Sequence, residues 1–122
     1  MVRLLIAALV LAAAATPAAA GDASAGKAVF KAQCAVCHSD AKSLPVVVGP
    51  PLWGVVGRPA GAVPGFAYSK VMKAAGFAWT PDRLHAYLPG PQAYLPGVKM
   101  TYAGLRNPGQ LDDLIAYLQS LK

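Results

Sequence analysis

Apolar positions along this 122-residue chain recur at helical spacing, in short stretches that glycine and proline separate. The clearest stripe comes last: Leu111, Leu114, Ile115, Leu118 and Leu121 fall on one face of a helix that Asn107-Pro108 opens. Upstream, Thr80-Pro81-Asp82 supplies a capping hydroxyl, proline at the first helical position and an acid in the first turn. That helix is predicted to run to Leu88 and stop at Pro89-Gly90. Leu84, Tyr87 and Leu88 mark its buried side, which turns Arg83 and His85 outward. Asp22 or Ser24 can cap a first helix to about Cys34, with Ala25, Val29 and Ala32 at helical spacing and Phe30 beside them. A short helix over residues 69–75 ends at Gly76, and residues 91–94 can add one turn. Residues 39–64 read as loop, with five prolines or glycines between Pro45 and Gly54. Nothing alternates with period two, so the fold class is all-α, with several short helices and long loops.

The first twenty residues stand apart. Arg3 precedes an unbroken apolar run over residues 4–15, Thr16-Pro17 breaks it, and Ala18-Ala19-Ala20 offers a small-residue cleavage site. Twelve apolar residues are short for a bilayer span, which needs about 20. The reading is a cleavable secretory signal over residues 1–20, export to the periplasm, and one domain over residues 21–122. A retained anchor stays open, because the alanine-rich run nearly reaches spanning length once Thr16 and Pro17 are tolerated.

The leader inflates the 56% hydrophobic content, and a domain this small is marginal by apolar burial alone. Loop-heavy small domains usually fold around something. Eleven Lys and Arg against five Asp and no Glu give a formal charge of +6, one less once Arg3 leaves. The charges are scattered, which argues against a nucleic-acid binder.

The only two cysteines belong to Cys34-Ala35-Val36-Cys37-His38, the C-x-x-C-H spacing of c-type haem attachment. Two thiols three positions apart can each add to a vinyl group of one porphyrin. The histidine that follows is then carried beneath the iron. A thioredoxin-like redox pair requires a strand-to-helix junction that this chain does not predict. A structural zinc site requires four ligands, and no second paired spacing is present. A disulfide across two residues closes too small a loop to stabilise much. One covalently attached haem c, tethered by Cys34 and Cys37 with His38 on the metal, is the reading taken.

The second axial position decides between carrier and catalyst. Met72 falls inside a short helix, where methionine is usually core filler, and His85 faces outward. Met100 lies in the irregular stretch Pro96-Gly97-Val98-Lys99-Met100-Thr101-Tyr102, free to be aimed at one point. A thioether is soft and favours ferrous iron, so Met100 is the chosen metal ligand.

With these residues in place the chain resembles the class I monohaem cytochromes c, both mitochondrial-type and bacterial cytochrome c2-like. Gly26 and Phe30 match the family's first helix, which crosses a last helix here bearing Tyr117. The stretch Gly49-Pro50-Pro51-Leu52-Trp53-Gly54-Val55-Val56-Gly57-Arg58 resembles its conserved loop. The resemblance implies that the Pro50 carbonyl supports the histidine and that Arg58 lies near a haem propionate. Tyr68 and Trp79 are implied to hydrogen-bond propionates, and Tyr87, Leu88 and Tyr94 to form the distal wall. Tyr94-Leu95-Pro96-Gly97-Val98-Lys99-Met100 is similar to the axial-methionine loop. Four positions depart from the family pattern: Val98 replaces a common threonine, Met72 a usual asparagine, Gln33 a docking-face lysine and Tyr102 a usual phenylalanine. Trp53, Phe66, Phe77 and Tyr117 read as core aromatics.

The implied activity is soluble one-electron transfer by a monomer, not an enzyme. Lys27, Lys31, Lys99 and Arg106 would rim the haem edge and steer transient redox partners with acidic docking faces. Two other readings remain open at this point. One is a haem enzyme or a gas- or peroxide-binding protein with a labile sixth ligand. The other is an electron-inlet subunit of a larger dehydrogenase or oxidase.

Overall fold

The computed structural model describes residues 21–43 and 46–122; the secretory signal read over residues 1–20 lies outside the described residues. Among the described residues five helices follow one another: α1 (Ala23–Gln33), α2 (Lys70–Lys73), α3 (Pro81–Tyr87), α4 (Pro91–Tyr94) and α5 (Pro108–Ser120). Each long helix starts where a side chain satisfies its free N–H groups. Asp22 accepts from Ser24 N at 2.8 Å, Thr80 Oγ1 from Arg83 N at 3.2 Å, and Asn107 Oδ1 from Gln110 N at 3.0 Å. Helix α2 is shorter than its sequence suggests, because Ser69 serves as its cap, accepting from Met72 N at 3.2 Å, and Ala74 already closes it.

The frame is the crossing of α1 and α5. Their backbones approach at Gly26, where an added Cβ would lie 1.9 Å from Asp113 O and 2.8 Å from Tyr117 Cβ. Phe30, one turn on, meets the Tyr117 ring at 5.8 Å between centroids. The face of α1 that is buried is therefore Gly26 and Phe30, not the Ala25–Val29–Ala32 row that hydrophobicity suggested; Ala32 is exposed. On α5 the expected stripe is buried throughout.

Among the described residues the β content is one isolated bridge, Pro59 to Ala78. Trp79 N donates to Arg58 O at 2.9 Å and Gly57 N to Trp79 O at 2.7 Å, so the bridge sets Arg58 opposite Trp79. A second close approach joins the far end. Leu105 N donates to Leu88 O at 2.9 Å, and Gly104, at φ 121°, leaves only 2.0 Å between a would-be Cβ and Pro89 O.

Candidate functional site

Helix α1 does not simply stop at Gln33. Cys34 N and Ala35 N donate to Phe30 O at 2.8 and 2.9 Å, and Cys37 N and His38 N to Cys34 O at 3.0 and 2.9 Å. These turns hold Cys34, Cys37 and His38 on one short ribbon. The following loop comes back to meet it, with Gly49 N donating to Cys37 O at 2.7 Å.

That return places Pro50 O 2.7 Å from His38 Nδ1. A carbonyl can only accept, so the proton resides on Nδ1 and the lone pair on Nε2. Burial lowers the His38 pKa, the Pro50 bond opposes that shift, and the Arg58 charge adds to it; the net direction is down. The ring is thus a neutral imidazole with a fixed tautomer. Gly49 makes room for it, since a Cβ there would lie 2.5 Å from His38 Cε1.

Nine of the residues singled out from sequence line one cavity of about 380 Å³: Cys34, Cys37, His38, Pro50, Arg58, Tyr68, Trp79, Tyr87 and Met100. Its remaining walls are mostly apolar, among them Leu52, Val55, Leu84, Leu88, Leu114 and Leu118. Val98 lines it as well, and so does Met72, which is 8% exposed. Tyr94 does not reach the cavity; its phenol accepts from Arg83 Nη1 at 2.8 Å. Arg83 itself is not turned out to solvent as expected. Its guanidinium lies 4.1 Å from the Phe77 ring centre. His85 does face outward, 3.3 Å from Asp112.

At one margin, Arg58 Nη2 donates to Pro51 O at 2.9 Å and Nη1 to Trp53 O at 3.3 Å, which aims a fixed cation at the cavity. Tyr68 Oη accepts from Val63 N at 3.0 Å, so its own hydrogen remains available for an acceptor. At another, Tyr87 Oη donates to Met100 Sδ at 3.3 Å. Burial pushes the Tyr87 phenol up to about 12, so it stays a donor through the physiological range. Tyr102 Oη donates to Gln33 Oε1 at 3.0 Å, joining the methionine segment to the end of α1. Burial, with a smaller contribution from Cys37, raises the Cys34 thiol to about 11.

A sequence model of the family described as Cytochrome c matches residues 23–122. The chain belongs to the cytochrome c family. It is 46% identical over 97 residues to cytochrome c2 of Rhodopila globiformis, covering 80% of this chain and 91% of that protein. Cytochrome c type-1 of Ascaris suum is 46% identical over 95 residues, covering 77% of this chain and 83% of its own. Cytochrome c2 of Afifella marina is 45% identical over 98 residues, covering 78% of each.

Membership makes this a class I cytochrome c with the cytochrome c fold, an electron carrier whose cofactor is one covalently attached haem c with its iron. The cavity fits that group. It offers two thiols on a single ribbon, an imidazole whose Nε2 is free, a thioether, apolar walls and a fixed guanidinium. What sequence reasoning missed is Gln92. Its amide grips the methionine segment, and no motif or period marked it.

Proposed function

We propose that this chain is a soluble periplasmic carrier of single electrons whose haem is tethered by Cys34 and Cys37 and held by His38 and Met100. The observation that carries this reading is the pairing of two prepared donors in one cavity. His38 is already locked in the tautomer that leaves Nε2 free, and Met100 Sδ is already oriented by Tyr87. Once bound, the haem supplies a one-electron couple that needs no bond made or broken in a substrate.

The chain's own residues do the rest. Pro50 orients the proximal imidazole through its carbonyl, and Tyr87 spends one sulfur lone pair while leaving the other for the metal. Leu84, Leu88, Val98 and Leu114 exclude water. Arg58, Tyr68 and Trp79 line the cavity and would meet the haem propionates, with Arg58 as charge partner and Tyr68 as donor. With His38 and Met100 both available to hold the iron, no open position would be left for a substrate, so the chain would act as a carrier rather than a catalyst.

Its partners are redox proteins met transiently, with the chain acting as a monomer. Lys99 lines the cavity, and Lys27 and Lys31 are exposed on α1 without lining it; acidic docking faces suit these cations. Arg106 donates to Pro89 O at 3.4 Å and does not line the cavity. Val36 and Val48, 78% and 70% exposed, also line the cavity and add apolar contact to the encounter. Among the described residues no helix is long and apolar enough to cross a membrane. Periplasmic placement rests on the leader pattern of residues 1–20.

The test is Met100→Ala in the haem-loaded protein. The reading expects a lower reduction potential and prompt CO binding by the ferrous form. A variant unchanged in both would overturn the ligand assignment and favour an open-site haem protein.

A further inference from the structure

The segment that carries Met100 has almost no backbone support of its own. Val98 N donates to Leu95 O at 3.1 Å and Leu105 N to Leu88 O at 2.9 Å. Between them, residues 99–104 make no backbone–backbone hydrogen bond among the described residues. Main-chain carbonyls in such a stretch must find partners elsewhere or be left to water.

Two of them find the same side chain. Gln92 Nε2 lies 2.5 Å from Val98 O and 2.9 Å from Met100 O. Both partners are pure acceptors, so the group facing them must be the amide NH2 and not its oxygen. A primary amide has two N–H bonds, and each carbonyl takes one.

The anchor behind Gln92 is firm. It sits on α4, where Pro91 is among the most deeply buried residues and Tyr94 is fastened to α3 through Arg83 at 2.8 Å. Tyr87 of the same α3 donates to Met100 Sδ. Main chain and side chain of Met100 are therefore held from one rigid corner, by Gln92 and Tyr87 respectively.

We propose that Gln92 is a positioning residue for Met100, whose amide fastens the methionine segment through two carbonyls and thereby sets how readily the sulfur gives way to another ligand. This rests on Met100 being the metal ligand proposed above. Loss of the amide frees both carbonyls, and the segment swings out more often. A glutamate at this position would be worse, because a carboxylate faces two carbonyls with no hydrogen to give. A lysine has three donors and can restore both contacts.

The experiment is a titration of the ferric, haem-loaded protein with imidazole, followed by its visible spectrum, for wild type, Gln92→Ala, Gln92→Glu and Gln92→Lys. Guanidinium unfolding of each protein is followed in parallel by far-ultraviolet circular dichroism. The proposal expects imidazole to bind at least about tenfold more tightly to Gln92→Ala, and more tightly still to Gln92→Glu at neutral pH. Gln92→Lys should return to within about threefold of wild type, and the unfolding midpoints should stay close together. Affinities of the alanine and glutamate variants within twofold of wild type would overturn it. So would gains that merely track a fall in the unfolding midpoint, which would make Gln92 a general stabiliser. The far-red ferric band that reports a thioether on iron serves as control. Its absence from wild type would defeat Met100 ligation itself, whereas its presence with unchanged imidazole affinity would defeat Gln92 alone.

Discussion

Tyr87 reaches Met100 across thirteen residues of chain, its hydroxyl 3.3 Å from the thioether sulfur. The ring that carries it is 4% exposed and is wedged between Trp79 and Tyr94, at centroid distances of 4.7 and 6.0 Å. Such a wedged ring cannot turn away, so the hydroxyl is a fixed donor. A hydrogen bond to the sulfur withdraws electron density that the oxidised metal would draw on more than the reduced one. Tyr87→Phe should therefore lower the reduction potential. A contribution of about 1 kcal/mol to the difference between the two states corresponds to about 40 mV for one electron. Potentiometric titration of both proteins checks this, and a rise in the variant would reverse the role given to Tyr87.

Gly49 makes a second test, on the proximal side. Its missing side chain is where the His38 ring lies, 2.5 Å from a would-be Cβ. Gly49→Ala should push the imidazole off its Pro50 bond, and overpacking of this kind costs about 1–3 kcal/mol. The expected outcome is a lower thermal midpoint and a smaller fraction of protein carrying attached haem, read from the ratio of haem to protein absorbance.

Much of this fold was legible because its helices announce their ends. Asp22, Ser69, Thr80 and Asn107 are all capping residues, and Pro81, Pro91 and Pro108 sit at helix starts. The cavity was legible for a different reason: the pentapeptide and the methionine loop are short local patterns with fixed chemistry. What stayed hidden depends on contacts between distant segments. Gly26 has no side chain to enter a hydrophobic pattern, yet it decides which face of α1 is buried. Arg83 looked outward by periodicity but finds the Phe77 face and the Tyr94 phenol. Tyr94 matched the distal wall by resemblance, and that arginine bond holds it elsewhere. Gln92 is an ordinary exposed helical residue until the loop folds back beneath its amide.

Alkaline pH should weaken the protein through two tyrosines. Burial first, and then its bond to the Asp40 carboxylate, pushes Tyr117 from 10.0 up to about 12; burial alone does the same for Tyr87. The fold thus favours the neutral phenols over the phenolates. That stabilisation is complete below the unfolded value near 10 and is lost as pH rises from about 10 to about 12. Guanidinium unfolding across this window should show a falling free energy. Tyr117→Phe should start lower by about 1 kcal/mol near neutrality, having lost its bond to Asp40, and then fall less steeply. Equal slopes in the two proteins would remove Tyr117 from the account.

The most direct test is the intact mass of the purified protein under denaturing conditions, after acid-acetone extraction, from a host able to attach haem. The account predicts residues 21–122 plus one haem, with neither Cys34 nor Cys37 open to alkylation. A mass equal to the bare polypeptide, with both thiols alkylated, would contradict it.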